Sequence, residues 1–312
     1  MTRAGEIGSI RKPWGTAIPV ALVYPNVYQL GMGNLGFQFL YKYLNSYPQF
    51  LAERFFFPDF SSRMKFPSRL ISEESGRPLA DFPIIAFSIP FENDYPAVPE
   101  MLLVSGIPPL AKDRGPSDPF VIAGGLSVSM NPEPLADFLD IVFIGELEDT
   151  IDLESGLFSA LAKMFRHFGN RNRLNLLDLL RDVPGVYIPS AYQFSYSEDG
   201  SVKKIETKQG FPARVRAVKR RTKGSSIPIS TLFSPEAEFG DTLLVETNRG
   251  CSRGCRFCAA GWIHFPVRYA RFKDFQPEID KALESGRRVG LIGSDLAGHP
   301  ELEKILAYIV ER

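Results

Sequence analysis

The sequence predicts an α/β protein with a doubly wound parallel sheet first, a β-rich connector next and a short βα segment last. Over residues 18–145, short apolar runs alternate with helix-like segments, as in parallel sheets. A hairpin pattern follows, and all three cysteines then lie between residues 251 and 258. We expect the domain boundaries at 1–150, 151–240 and 241–312.

The first segment contains five predicted strands. They are Ile18–Tyr24, Phe55–Phe57, Ile84–Ser88, Phe120–Ala123 and Ile141–Ile144. Helices are predicted over Asn34–Asn45 and Tyr95–Ser105, where apolar side chains recur near one helix face. Parallel sheets bind ligands beyond the carboxyl ends of their strands. The loops that follow the first, third, fourth and fifth strands are therefore candidate binding loops.

The connector is predicted to begin with helical pieces over 152–182, which break near Gly169-Asn170. The runs 192–196 and 202–207 then flank Asp199-Gly200, a turn pair typical of β-hairpins. The stretch 214–223 holds six cations in ten residues. It could contact the phosphates of a tRNA or another RNA, but a solvated strand or linker is the simpler interpretation.

The last segment contains about two βα units. They are a strand at Thr242–Thr247, a helix at Gln276–Ser285, a strand at Arg288–Ile292 and a helix at Pro300–Val310. A full (β/α)₈ barrel needs about 250 residues. We therefore expect an incomplete barrel, either because the chain is a fragment or truncation, or because a second chain supplies the missing strands.

Composition excludes several classes of function. The formal net charge of the 312 residues is zero, so no overall field attracts nucleic acid or membranes. The first residues lack the apolar core of a signal peptide, and no apolar run approaches membrane-spanning length. Cysteines confined to one short cluster fit a cytoplasmic protein.

Cys251, Cys255 and Cys258 are the candidate metal ligands, with the spacing C-x-x-x-C-x-x-C directly after a predicted strand. Three thiolates can hold three irons of a [4Fe–4S] cluster and leave the fourth iron open to a small molecule. Zinc is the alternative, with His264 as a fourth ligand. A disulfide would leave one cysteine over.

This cysteine motif, with the aromatic Phe257 before the third cysteine, resembles the signature of the radical S-adenosylmethionine (SAM) superfamily. The resemblance implies a [4Fe–4S] cluster whose open iron chelates SAM. It also implies reductive cleavage to a 5′-deoxyadenosyl radical, with an electron donor such as flavodoxin or ferredoxin. Phe257 would pack on the adenine, and Gly293, Ser294 and Asp295 would seat SAM at the turn after the next parallel strand. The resemblance assigns no catalytic residue.

The run from Ile122 to Glu146 resembles the cobalamin-binding type of domain that precedes the cluster domain in many radical SAM proteins. The implied cobalamin residues are Ser88, Gly124 and Gly125, since glycines let a bulky ligand approach the backbone. The segment after the first strand carries no histidine where that motif places its cobalt ligand. Cobalamin could therefore bind only without a histidine lower ligand, or the domain is a structural relic.

The N-terminal stretch also resembles a group of uncharacterised radical SAM proteins, through the runs Tyr24–Met32 and Asn131–Phe138. We carry three functional hypotheses from the sequence. The first is a radical SAM protein, with hydrogen abstraction, sulfur insertion or cobalamin-assisted methyl transfer as its chemistry. The second is a non-catalytic iron–sulfur or cobalamin-binding module. The third is a zinc-binding nucleic-acid module.

Overall fold

The structure is a computed structural model that describes residues 3–15, 17–58, 69–149, 156–168, 173–219 and 227–312. The chain divides into two compact units. The first unit comprises Arg11–Val27 and Leu44–Val218. The second unit comprises Thr2–Ile10, Tyr28–Tyr43 and Lys219–Arg312. Each unit has its own sheet and its own apolar core.

The sheet of the first unit has six strands in the described residues, in the order β2-β1-β3-β4-β5-β6. The strands are β1 (Ile18–Tyr24), β2 (Phe50–Phe56), β3 (Ile84–Ser88), β4 (Phe120–Gly124), β5 (Ile141–Phe143) and β6 (Val186–Tyr187). Strands β1 to β5 are mutually parallel, and β6 is antiparallel to β5. The predicted parallel sheet is thus confirmed. Its order is one of the common doubly wound orders and has a switch point between β1 and β3.

The helices lie between successive strands or after the last strand of the chain. They are α1 (Tyr28–Gly33), α2 (Leu35–Ser46), α3 (Ala97–Val104), α4 (Leu126–Met130), α5 (Leu157–Phe168), α6 (Arg173–Leu180), α7 (Ala259–Ile263), α8 (Phe272–Glu284) and α9 (Leu302–Val310). The two helices predicted in the first segment are found within two residues of their predicted ends. The predicted break at Gly169-Asn170 lies outside the described residues. In the described part of the chain, no helix is both long and apolar enough to cross a membrane.

Strand β2 begins five residues before its predicted start. Its first part was not predicted, because the charged residues Glu53 and Arg54 suggest a surface segment although both are buried. Glu53 accepts hydrogen bonds from the Trp14 indole and the Ser72 hydroxyl. Arg54 forms an ion pair with Glu74 at 2.6 Å. These partners satisfy charges that would otherwise be costly inside a protein.

The connector contains the predicted hairpin, formed by β7 (Tyr192–Tyr196) and β8 (Val202–Thr207). Its strands are antiparallel, with a register shift beside Tyr196. Within the basic stretch, Arg214, Arg216 and Lys219 are exposed, and residues 220–223 lie outside the described residues.

The sheet of the second unit has the order β10-β9-β11, with β9 (Leu243–Arg249), β10 (Arg268–Tyr269) and β11 (Val289–Gly293). Strand β11 is parallel to β9; α7, β10 and α8 lie between these two strands in the chain, and α9 follows β11. Helix α8 begins at Phe272, four residues before its predicted start. Phe272 and Phe275 are buried in the core of this unit, and that packing outweighs the helix-breaking tendency of Pro277.

Candidate iron–sulfur and SAM site

The cysteine loop leaves the sheet at the end of β9 and returns at the start of β10. Antiparallel pairing joins Arg249 to Arg268 and Asn248 to Tyr269 at this neck. Gly250 begins the loop with a φ of +81°, and a Cβ there would lie 2.3 Å from the carbonyl oxygen of His264. The two ends of the loop are therefore in such close contact that only glycine fits.

The thiols lie near the surface of this loop. Cys255 is exposed, while Cys251 and Cys258 are half-buried. The backbone N–H of Arg253 donates to Cys251 Sγ at 3.5 Å, and that of Gly261 donates to Cys258 Sγ at 3.4 Å. The second of these bonds makes the Cys258 side chain the N-cap of α7. N–H donors of this kind stabilise thiolates that bind iron.

The donor chemistry of the loop fits an iron–sulfur cluster. Three of its candidate ligands are thiols, His264 is the one imidazole of the loop, and no acidic side chain lies between Thr247 and Lys273. Within the described ranges, no three Cys, His, Asp or Glu side chains converge closely enough to hold a metal ion. The structure thus places the thiols in one exposed loop without bringing them to a single point.

The chain around the thiols is rich in cationic residues. Six cations lie in the acid-free run from Thr247 to Lys273, namely Arg249, Arg253, Arg256, Arg268, Arg271 and Lys273. Arg249 is held by Glu246 through two contacts of 2.7 Å, and Arg253 is paired with Asp295. Arg256 is exposed. Cations near a cluster favour its reduced, more negative state, which is the expected direction for a cluster that must accept an electron.

Asp295 connects the cysteine loop to the turn after β11. It is buried, and its carboxylate accepts hydrogen bonds from Arg253 Nε at 3.3 Å and from the Tyr269 hydroxyl at 3.4 Å. Desolvation raises the pKa of Tyr269, and the charge of Asp295 raises it further. Two of the predicted SAM elements, the cysteine loop and the 293–295 turn, are thus joined by direct contacts.

Gly293 lies against Asn248, its partner in the parallel register of β9 and β11. A Cβ on Gly293 would lie 1.8 Å from Asn248 Oδ1, so this position accepts only glycine while Asn248 keeps its side-chain position. Ser294, next in the turn, is exposed. The turn therefore presents backbone rather than side-chain bulk at the carboxyl end of β11.

Two aromatic side chains of the loop are open to solvent. Phe257 is 91% exposed, so packing within the protein does not explain its aromatic character. Trp262 is 62% exposed, and its indole N–H donates to the Cys255 carbonyl at 3.2 Å. The position of Phe257 suits contact with a planar ligand, as expected for an adenine.

The predicted cobalamin residues lie together at the carboxyl edge of the first sheet, where Ser88 pairs with Gly124. Gly125 has a φ of +122°, and a Cβ there would lie 2.4 Å from the Ile89 carbonyl oxygen. The same Cβ on Gly124 would make only ordinary contacts, the nearest at 3.9 Å to Phe143. Chain packing thus accounts for Gly125 without a ligand, and cobalamin binding stays a prediction.

The sequence analysis missed Asp94 and Asn26, which lie at the switch point of this sheet. The Asn26 amide donates to Asp94 Oδ1 at 2.7 Å, and the buried Asp94 Oδ2 has no hydrogen-bond partner among the described residues. Burial raises the pKa of Asp94, although the bond from Asn26 opposes the shift. The available signal was that Asn26 and Asp94 lie in the loops that follow the first and third strands.

It also missed Asn248, Gly250 and Tyr269 in the cysteine site. The first two could have been found from their position between the end of a strand and the first cysteine. Tyr269 gave no local signal, because its role depends on strand pairing and on contact with a residue distant in sequence.

Comparison with known proteins gives one family and one relative. Residues 36–189 match the family described as radical SAM proteins, N-terminal. The chain is also 25% identical over 292 residues to an uncharacterized protein of Methanocaldococcus jannaschii, an alignment that covers 93% of this chain and 52% of the relative. The chain therefore spans about half the length of that relative. No solved structure matches.

The family match supports the radical SAM superfamily as the class of this chain. It ends before the cysteine loop, so the match and the cysteine motif are separate observations that lead to the same class. Neither the non-catalytic module nor the zinc module is better supported.

Proposed function

We propose that this chain binds a [4Fe–4S] cluster through Cys251, Cys255 and Cys258 and binds SAM at the open iron. The reaction is reductive cleavage of SAM to methionine and a 5′-deoxyadenosyl radical. The single observation that carries the proposal is the exposed three-thiol loop, which is closed at its neck by Gly250 and lies in a cation-rich run of the sequence without acidic residues. When bound, the cluster supplies the electron for that cleavage.

The residues of the chain hold and orient the two cofactors. The three thiolates ligate iron, and the N–H groups of Arg253 and Gly261 stabilise two of them. Phe257 offers an exposed ring for the adenine. The turn from Gly293 to Asp295 lies beside the loop and supplies backbone acceptors for the polar end of SAM.

Anaerobic reconstitution with iron and sulfide, followed by low-temperature EPR of the dithionite-reduced protein, tests the proposal. We expect a [4Fe–4S]⁺ signal whose shape changes when SAM is added, and release of 5′-deoxyadenosine. A cluster signal that is indifferent to SAM would contradict SAM binding. Stoichiometric zinc in a colourless protein would instead support the zinc module.

We further propose that the reductant is an acidic one-electron carrier such as flavodoxin. The exposed Arg256 belongs to an acid-free run of 27 residues, which suits an acidic partner. Reduction by flavodoxin should slow as salt rises, and about tenfold in Arg256→Glu at low salt. Lys42→Glu, which reverses an exposed cation on α2, is the matched control. Equal rates in both variants would exclude docking at this loop.

A further inference from the structure

Asn248 carries a polar atom that the fold leaves unused. Its side chain is 1% exposed, and its amide Nδ2 donates to the Gly250 carbonyl at 3.1 Å, which fixes the orientation of the amide. Its Oδ1 is buried and has no hydrogen-bond partner among the described residues. An unpaired buried acceptor is costly, so such an atom indicates a place where a ligand or a water completes the hydrogen bonding.

The surroundings of Oδ1 define the donor that would fit. Gly293 lies against Oδ1 and presents no side chain to it, so residue 293 supplies no side-chain donor. The register partner of Asn248 is Tyr269, whose hydroxyl reaches the buried carboxylate of Asp295. An amide oxygen and a carboxylate therefore lie at the same end of β9 and β11, and acceptors grouped in this way favour a cationic N–H donor.

We propose that Asn248 is a specificity residue of the SAM site, whose Oδ1 accepts a hydrogen bond from the ammonium group of SAM. This inference rests on the proposed function and adds a side chain that neither the cysteine motif nor the turn residues include. The thiols would place the cofactor, and Asn248 would select ligands that carry the amino group. Asn248 is hydrogen-bonded to Gly250, the residue before the first cysteine. The side chain that contacts the amino group would therefore lie directly beside that cysteine.

The test is equilibrium binding of two ligands to the reconstituted chain, SAM and its analogue without the amino group. The Kd of the analogue divided by the Kd of SAM measures the contribution of the amino group to binding. In Asn248→Leu, which keeps the volume and removes the acceptor, we expect that ratio to fall about tenfold. In Asn248→Asp, which keeps an acceptor and loses the donor to Gly250, the ratio should be retained or increased.

The paired variants separate ligand contact from a structural role. If Asn248 served only to hold Gly250, both variants would weaken the two ligands alike and leave the ratio unchanged, which would overturn the inference. Iron and sulfide content, measured on each variant, shows that the loop still forms. A wild-type chain that holds a cluster but does not bind SAM would overturn the proposed function together with this inference. An unchanged ratio in Asn248→Leu with normal SAM binding in the wild type would overturn the inference alone.

Discussion

The two sheets end in edges that carry closely packed glycines, and the edges differ in the residues that follow those glycines. At the edge of the first sheet, Gly125 and Gly145 have positive φ. A Cβ added to Gly125 would lie 2.4 Å from the backbone of Ile89, and one added to Gly145 would lie 2.3 Å from the backbone of Val218. At the second sheet, Gly250 makes a similar backbone contact, but the loop beyond it is exposed.

The difference shows that a strained glycine does not by itself indicate a ligand. In the first unit the space left by the missing Cβ is filled by the protein's own backbone. In the second unit the glycine closes the neck of a loop, and the residues after it carry thiols and an exposed aromatic ring. The chemistry of the exposed residues, rather than the glycines, distinguishes a candidate site from a packed edge.

Removal of any one thiol should have the largest effect. Cys251→Ala, Cys255→Ala and Cys258→Ala should each abolish cluster assembly, because two remaining thiolates cannot hold the cluster. Iron and sulfide content with the EPR signal measures this, and circular dichroism should be unchanged because the thiols lie outside both cores. Ser252→Ala, an exposed change in the same loop, is the control. Full cluster content in any cysteine variant would remove that cysteine from the ligand set.

The next largest effects should come from the packed glycines. Gly125→Ala would force a Cβ into the Ile89 backbone at a φ of +122° and should destabilise the first unit by about 3 kcal/mol or more. Gly124→Ala should cost less than about 1 kcal/mol, since its nearest contact is ordinary. Hydrogen exchange of the first unit's amides measures both. Equal costs would mean that Ile89 does not lie against Gly125.

The same comparison applies to the cysteine loop. Gly250→Ala meets the His264 carbonyl and should reduce both hydrogen-exchange protection at the neck and cluster content. Gly254 also has a positive φ but has open space around it, so Gly254→Ala should cost only about 1–2 kcal/mol. A loop that assembles its cluster equally well in both variants would show that the neck is not what positions the thiols.

These examples show how much the sequence could predict. The apolar strands β1 and β3 were found with their bounds because their buried runs are uniform in character. Strand β2 was found only in part, since Glu53 and Arg54 suggest a surface although both are buried. Whether a charged residue is buried depends on partners such as Glu74, twenty residues away, and local patterns carry no such information.

The candidate site divides in the same way. The cysteine spacing could be recognised in the sequence because all three cysteines lie in one short loop. Asn248 offered a local signal, its position between the end of a strand and the first cysteine, whereas Tyr269 became visible only when strand pairing placed it beside Asn248. At Gly125, packing against the Ile89 backbone explains the glycine by itself, and the cobalamin contact stays a prediction. Sequence patterns thus predicted the three cysteine ligands, while the contacts around those cysteines became visible only in the fold.

Alkaline pH should affect the first unit more than the second. Burial raises the pKa of Tyr187, and its hydrogen bond to Glu133 and the charge of Glu133 raise it further. The folded state therefore holds the proton more tightly than the unfolded chain. The stabilisation is full below the ordinary tyrosine pKa of about 10 and is lost as pH rises above it.

In Tyr187→Phe, the free energy of unfolding should therefore fall less steeply above about pH 10, with a slope smaller by up to about 1.4 kcal/mol per pH unit. At neutral pH the variant should lose about 1 kcal/mol, because Glu133 loses its donor. Urea unfolding followed through Trp14, a residue of the first unit, measures both. Tyr196→Phe, at a position 60% exposed, is the control. An unchanged alkaline slope in Tyr187→Phe would contradict the role of Tyr187.

The smallest effect should follow from Asp295→Asn, which tests whether the turn after β11 contacts the ligand or only braces the cysteine loop. The lost ion pair with Arg253 is weak, because the Arg253 side chain is 64% exposed and such pairs contribute about 0–1 kcal/mol. If Asp295 only braces the loop, SAM affinity should fall by no more than about fivefold. The pKa of Tyr269 should also move down toward its ordinary value, since the carboxylate charge raises it.

Titration of the EPR change with SAM gives the affinity, and tyrosinate absorbance follows Tyr269. Asp274→Asn, which removes a comparable exposed pair with Arg271, should change neither quantity. A loss of about a hundredfold in SAM affinity would exceed what a surface ion pair can supply, and would show that the Asp295 carboxylate binds the cofactor directly. The cofactor would then contact both the exposed cysteine loop and the buried carboxylate of Asp295. Only the thiols of the second unit would then distinguish the two sheet edges.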